Sequence, residues 1–186
     1  MDHIGGIPFR PYEVGGWLLG FWADDARAVF VTHATPPASH GTPFGVHISG
    51  RGHRRRFDAA WEASSGAVTY LGDWHTHPGC PPTPSSQDAR ALSQLARRSK
   101  FGTPRPVMAI LSTPRWPAAS GPVELAFYVR EPTGVIAGLR AFATDELPPE
   151  ATAVPDWPWP SRRSGNGLVG AVRSHRDADA RGRLKR

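Results

Sequence analysis

Apolar and polar positions divide the chain into short apolar runs of strand length and two segments with helical spacing. Runs rich in β-branched and aromatic residues, bounded by Gly, Pro and Asp, predict buried strands. Apolar residues that recur three and four positions apart predict amphipathic helices. The predicted strands are 15–22, 27–34, 44–49, 67–77, 106–112, 123–130 and 134–142, and the predicted helices are 54–64 and 85–98.

This order of elements predicts an α/β domain, in which helices pack as layers over a sheet. No internal repeat of useful period appears in the 186 residues, a length that suggests one domain with a substantial core and a tail. We assign residues 1–147 to the domain. Residues 148–186 form a Pro/Trp-rich linker and a basic tail, whose low hydrophobicity predicts disorder.

The net charge of +6 and the isoelectric point of 10.4 suggest a nucleic-acid partner, but the distribution of charge does not. Residues 1–160 contain 14 basic and 14 acidic side chains, whereas residues 161–186 contain 8 basic and 2 acidic ones. A neutral body offers no phosphate-binding surface. Nucleic acid is therefore an expected partner only through the tail.

No run of about twenty apolar residues is present, and the N-terminal sequence MDHIGGIPFR has no apolar signal-peptide core. We therefore expect a cytoplasmic protein without membrane contact.

Residue types that bind metals surround one turn of the chain. His75 and His77 lie two positions apart in GDWHTHP, so on a strand their side chains project from the same face. The Pro-rich loop 78–84 ends that strand, which places Asp88 of SSQD in the first turn of the next helix. Two imidazoles and one carboxylate match the three protein ligands of a catalytic zinc. Because Cys80 is the only cysteine, a cysteine-rich structural site is excluded.

Each half of this pattern also has an ordinary structural explanation. An HxH pair is common on strands, and SxxD before an apolar run is typical of a helix N-cap with an acidic residue three positions later. Both motifs at this spacing should arise by chance in about one of ten thousand such sequences. We therefore favour the metal site.

Glu13 adds a third element, because it precedes the Gly-Gly pair and apolar run of a predicted buried strand. With it the chain resembles the JAMM metalloproteases, also called MPN+ or JAB, whose pattern is a glutamate before a Gly-rich apolar strand, then HxHP, six residues and SxxD. The resemblance covers roughly residues 10–145. The segments EVGGWLLGFW and YLGDWHTHP are most similar to the stand-alone bacterial branch.

The resemblance implies a mixed twisted β-sheet flanked by helices, the cytidine-deaminase-like arrangement of the JAB/MPN domain. It also implies one catalytic zinc per chain, with His75, His77 and Asp88 as ligands. Glu13 would be the general acid/base, and Ser85 would help to hold the water and the oxyanion. Family domains place a strand and a helix before the glutamate, whereas twelve residues precede Glu13. We therefore expect either an earlier start of the domain or a short N-terminal arm.

In function, the resemblance implies a zinc metalloprotease that cleaves amide or isopeptide bonds at the C-terminus of a ubiquitin-like protein, for deconjugation or precursor processing. The expected substrate is that protein or its conjugate, and the activating and conjugating enzymes of the same operon are further candidate partners. A sulfur-carrier-processing peptidase in biosynthesis and a non-catalytic MPN scaffold remain as alternatives. The HxH barrel hydrolases need a longer chain.

The other polar residues match no motif. Asp73, on the strand face of the two ligand histidines, is interpreted either as a partner of an imidazole N–H or as a solvated carboxylate. His33, His40, His47 and His53 are assigned no ligand role, and Arg54–Arg56 is interpreted as a solvated surface run.

Overall fold

The computed structural model describes residues 3–4, 7–8, 11–23, 27–37, 40–98, 103–115, 122–143 and 170–174. Short strands and two helices account for most of them. In chain order the elements are β1 (His3–Ile4), β2 (Ile7–Pro8), β3 (Gly15–Trp22), β4 (Ala28–Ala34), β5 (His40–Thr42), β6 (Gly45–His47), α1 (Arg54–Ala63), β7 (Thr69–Pro78), α2 (Ser86–Arg98), β8 (Val107–Thr113), β9 (Glu124–Arg130), β10 (Ile136–Ala143) and β11 (Gly170–Ser174), with a 3₁₀ turn at Gly50–Gly52.

Seven of these strands form one mixed sheet that closes into a barrel, in the order β10-β11-β4-β3-β7-β8-β9. Strands β7 and β8 are parallel and the other barrel pairs are antiparallel. The expected α/β fold, a mixed sheet flanked by helices, is confirmed. All nine elements predicted from the apolar pattern are present, although the segment 44–49 proves to contain only the second strand of the separate β5–β6 hairpin.

The parallel pair positions the candidate site. Parallel neighbours need a crossover connection, and here that connection contains α2. Consequently the carboxyl end of β7 and the first turn of α2 meet at one end of the barrel.

The barrel is filled by apolar side chains that alternate along its strands, as the two-residue period of a strand requires. Its buried members are Val14, Leu18, Val29, Val31, Leu71, Trp74, Val107, Ala109 and Phe127. The opposite strand faces pack against the helices. Trp17, Leu19, Val68 and Tyr70 meet Phe57 and Ala60 of α1, and Met108 and Ile110 meet Leu92 of α2.

A bulge in β7 changes which of its side chains share a face. Leu18 of β3 lies opposite Gly72, but Leu19 lies opposite Tyr70, so Leu71 is an extra residue in β7. Gly72 has a φ of 152°, and a Cβ there would collide with the carbonyl oxygen of Val107. The bulge lets the Tyr70 hydroxyl reach the Asp73 carboxylate, three residues away.

Residues 170–174 correct part of the tail interpretation, which expected disorder throughout 161–186. They form β11, which pairs with β10 through Leu139–Ala143 and with β4 through Ala28–Val31. The rest of the linker and tail lies outside the described residues, so the domain boundary at residue 147 stays a prediction. Among the helices described, none is sufficiently long and apolar to cross a membrane.

Candidate metal centre

The structure brings His75, His77 and Asp88 together at the end of β7. The His75 Nε2 atom lies 3.3 Å from Asp88 Oδ1, and the His77 Nε2 atom lies 3.5 Å from Asp88 Oδ2. The two Nε2 atoms are 3.0 Å apart. All three candidate ligand atoms lie within 4.8 Å of one another, and both imidazoles are buried.

The orientation of His77 suits a metal ligand. Its Nδ1 atom lies 3.1 Å from the carbonyl oxygen of Pro81. Because a carbonyl oxygen only accepts, Nδ1 must carry the proton in this contact. In the neutral ring the lone pair is then on Nε2, which points at Asp88.

Asp88 is held in place by the start of α2. The Ser85 backbone N–H donates to Asp88 Oδ2 at 2.6 Å, and the Asp88 N–H donates to Ser85 Oγ at 3.2 Å. Burial by itself raises the pKa of Asp88, but its close contacts with His75 and His77 and the hydrogen bond from Ser85 outweigh burial and hold that pKa well below its usual range. The carboxylate therefore stays ionised.

Glu13, two residues before the start of β3, lies close to the same group of side chains. The chain around it is anchored on both sides, because Val14 N–H donates to Thr76 Oγ1 at 3.0 Å and Glu13 N–H donates to the carbonyl oxygen of Thr42 at 3.1 Å. Burial raises the pKa of the Glu13 carboxyl, with the neighbouring charges of His75 and His77 opposing the shift. The carboxyl group thus lies close enough to both imidazoles to interact with them electrostatically.

A cavity of about 190 Å³ opens beside these groups. Its lining includes Glu13, His75, Ser85 and Asp88, together with apolar residues from β8 and from the β5–β6 hairpin and the position after it, namely Phe44, Val46, Ile48 and Met108. Phe44, at the tip of the hairpin, is 87% exposed. Four of the five site residues selected from the sequence thus line one space, with Ser85 exposed. The fifth, His77, does not line the cavity but contacts Asp88 beside it.

Asp73 also lines this cavity, and its hydrogen-bond partner is the Tyr70 hydroxyl, whose oxygen lies 2.8 Å from Oδ1. Burial raises the pKa of Asp73 to about 6, although the hydrogen bond from Tyr70 favours the ionised form.

His53 is a buried residue that the sequence pattern does not single out, because it lies in the polar segment RGHRRR. Its side chain is inaccessible, stacks on Trp17 at 5.4 Å, and places Nδ1 2.7 Å from Thr35 Oγ1. Burial, followed by the charge of Arg56, lowers the pKa of His53 to about 4. Thr35 also accepts the indole N–H of Trp74, the residue before His75. His53 thus supports the strand that carries the histidines without facing the metal centre.

Comparison with known proteins gives matches over the same region. Residues 10–129 match the Prok-JAB family model, described as prokaryotic homologs of the JAB domain. A CD-NTase/cGAS isopeptidase from Enterobacter hormaechei subsp. hoffmannii is 34% identical over 101 residues, which cover 53% of this chain and 54% of the relative. A protein of the same name from Pseudomonas aeruginosa is 35% identical over 103 residues, which cover 53% of this chain and 61% of that relative.

A third relative, the probable metalloprotease y4qB from Sinorhizobium fredii, is 32% identical over 102 residues, covering 53% of this chain and 62% of its own length. The chain therefore spans between about half and three fifths of the length of these curated relatives.

Proposed function

Since the chain belongs to the family of prokaryotic homologues of the JAB domain, we propose that it is a zinc-dependent peptidase acting at the C-terminus of a ubiquitin-like protein. The observation that carries this proposal is the convergence of His75, His77 and Asp88 beside the carboxyl group of Glu13. The names of its relatives, isopeptidase and probable metalloprotease, support hydrolysis of peptide or isopeptide bonds as the reaction class.

His75, His77 and Asp88 are the residues that would hold the metal. Two imidazole nitrogens and a carboxylate suit zinc, and three protein ligands leave a position for water or substrate. The contact from His77 to Pro81 assigns the proton of the neutral ring to Nδ1, so that Nε2 can offer its lone pair to a metal. When bound, zinc activates water near neutral pH and polarises the carbonyl group of the substrate.

Glu13 is the proposed general acid/base. It lines the cavity next to His75, and burial raises the pKa of its carboxyl group toward the pH at which proton transfer in both directions is efficient. Glu13 would take the proton of the attacking water and later return it to the departing amine.

Ser85 is the proposed donor to the oxyanion. Its Oγ atom already accepts the backbone N–H of Asp88, so the hydroxyl hydrogen remains available for a second contact. A donor aimed at a developing oxyanion contributes about 3 kcal/mol to stabilising the transition state. Ser85 would therefore cap the start of α2 and also donate a hydrogen bond to the substrate oxyanion.

The cavity suits a narrow, extended tail. Its volume of about 190 Å³ is below the roughly 300–1,000 Å³ of ordinary small-molecule pockets. A tail ending in small residues would fit such a space. The β5–β6 hairpin lies outside the barrel sheet, and an extended peptide beside it would bind by strand addition.

We favour deconjugation over precursor processing because two of the relatives are named isopeptidases. The proposed substrate is thus a conjugate of a ubiquitin-like protein with a lysine of a target protein. Processing of a sulfur-carrier protein remains the second candidate, since its tail would enter the same cavity.

The deciding experiment offers the purified chain an isopeptide-linked ubiquitin-like conjugate and a linear fusion of the same modifier. Each is incubated with the native protein, after removal of metal by a chelator, and after restoration with zinc. We expect cleavage at the modifier C-terminus that disappears with the chelator and returns with zinc, faster on the conjugate. Cleavage that persists without metal, or zinc-loaded protein inert on both substrates, would refute the proposal.

A further inference from the structure

The loop between β7 and α2 has few backbone N–H groups with which to form hydrogen bonds of its own. In the sequence GCPPTP of residues 79–84, three of the six residues are prolines without a backbone N–H. Two of its carbonyl groups are instead engaged by side chains from outside the loop. Pro81 accepts from His77 Nδ1 at 3.1 Å, and Pro82 accepts from the Tyr128 hydroxyl at 2.8 Å.

Tyr128 is well placed to fix this loop. It lies on β9 opposite Met108 of β8, and its ring packs against the buried cluster beneath α2. Burial raises the pKa of the Tyr128 hydroxyl, which therefore remains protonated and donates. Its ring is held by packing, so the hydroxyl provides the loop with a rigid anchor.

Strand β9 holds the next segment in the same way. Arg130 lies two residues after Tyr128 and therefore on the same face of the strand. Its Nε atom is 3.3 Å from Ser93 Oγ of α2. One strand face thus contacts both the loop and the helix that carries Asp88. The Arg130–Ser93 contact joins β9 to α2 without touching the loop 79–84. Removing it therefore provides a matched control for removing the Tyr128 hydroxyl.

We propose that Tyr128 is a positioning residue for the metal centre. Its hydroxyl holds Pro82, which keeps the adjacent Pro81 carbonyl where it accepts the Nδ1–H of His77. The Nε2 lone pair of His77 then faces Asp88. The inference rests on the proposed function, because it assigns Tyr128 to the same metal site, and partners of this indirect kind typically change metal affinity by about 10- to 100-fold.

The test compares the wild type with Tyr128→Phe and Ser93→Ala, all as the full chain. The first readout is zinc affinity, measured by competition with a chelating indicator. The second is the ¹⁵N NMR spectrum of His77 in metal-free protein at alkaline pH, which distinguishes the Nδ1–H from the Nε2–H tautomer. We expect Tyr128→Phe to bind zinc about ten-fold or more weakly and to show mixed tautomers. Ser93→Ala should match the wild type in both readouts.

An Nε2–H tautomer in the wild type would overturn the proposal before any variant is made. Wild-type affinity and tautomer in Tyr128→Phe would also overturn it, as would an equal loss in Ser93→Ala, which would indicate general loosening between β9 and α2. If the wild type binds no zinc, the proposed function fails. The metal-free tautomer measurement then still decides the role of Tyr128.

Discussion

Ser85 and Asp88 exchange hydrogen bonds across the first turn of α2, with the Ser85 N–H on Asp88 Oδ2 and the Asp88 N–H on Ser85 Oγ. This is a reciprocal N-terminal cap, and the same Oδ2 atom lies 3.5 Å from His77 Nε2. The capping and the metal-site interpretations of SxxD are therefore compatible. The cap orients the carboxylate that the histidines approach.

This double role predicts separable effects at Ser85. Ser85→Ala loses the cap and should lower the free energy of unfolding by about 1 kcal/mol, whereas Ser85→Gly should cost only a few tenths. Both lack the hydroxyl donor, so both should lose turnover to a similar extent, and Ser85→Thr should retain most of it. Urea denaturation and single-turnover cleavage measure the two quantities. Full turnover in Ser85→Gly would show that the hydroxyl contributes only to the cap.

The ligand geometry predicts about one zinc per chain. His75→Ala and His77→Ala each remove an imidazole from the cluster and should abolish zinc binding and activity together. His33, a partly buried histidine of β4 that contacts Thr32, provides the control, because His33→Ala leaves the cluster intact. Elemental analysis of the purified variants decides the assignment. Retention of stoichiometric zinc by His77→Ala would remove that residue from the ligand set.

Strand β11 predicts that part of the tail is needed for stability. Ending the chain at residue 169 removes the strand that pairs with both β10 and β4 and opens the barrel. We expect the Tm to fall by about 4 °C or more, equivalent to over 1 kcal/mol. Ending the chain at residue 174 keeps β11 and is the matched control. Equal Tm values for the two truncations would show that β11 contributes nothing to the barrel.

The apolar pattern predicted nine of the elements, and the joint HxHP and SxxD motifs selected the group of His75, His77 and Asp88 that the structure brings together. Strand β11 was not predicted, because its five residues lie in a polar, Arg-rich tail and show no apolar periodicity. Their pairing with β4 depends on closure of the barrel, which the sequence pattern does not show. The burial of His53 was not predicted either, because the arginines beside it are typical of an exposed surface segment. The hydrogen bond from Tyr128 to Pro82 was not predicted, because it joins residues 46 positions apart. Within ELAFYVR, Tyr128 has no feature that distinguishes it from other aromatic residues on strands.

Burial of His53 predicts that stability depends on pH. In the folded chain the pKa of His53 is lowered from 6.5 to about 4. Between these two pH values the unfolded chain therefore binds a proton at His53 and the folded chain does not. The free energy of unfolding should therefore fall as the pH falls from 6.5 toward 4, by at most about 1.4 kcal/mol per pH unit. Asp73, whose pKa is raised to about 6, acts in the opposite direction.

Comparing His53→Asn with the wild type isolates the histidine contribution, because Asp73 is present in both. The variant loses the stacking on Trp17 and should be less stable at neutral pH. The difference should narrow as the pH approaches 4. Urea denaturation of metal-free protein gives the curves without any contribution from ligation. A constant difference across this range would mean that His53 binds protons equally in the folded and unfolded chains.

Glu13→Gln tests the proposed proton transfer most directly. The amide has nearly the same shape as the carboxyl group, and the backbone contacts of Glu13 and Val14 do not involve the side chain. Fold, zinc content and substrate binding should therefore be retained. Turnover should fall by about 10²- to 10⁴-fold, because a positioned acid/base contributes that much. The loss should appear in kcat more than in KM, since the interaction is made in the transition state.

Asp73→Asn is the matched control for Glu13→Gln, because it converts another cavity-lining carboxyl group to an amide. It should keep most of the turnover if Glu13 alone transfers the proton. Single-turnover assays on a ubiquitin-like conjugate, with zinc measured on the same samples, separate loss of chemistry from loss of metal. If Glu13→Gln retains more than about a tenth of wild-type kcat with zinc bound, another group transfers the proton. A large loss in Asp73→Asn would then identify Asp73 as that group.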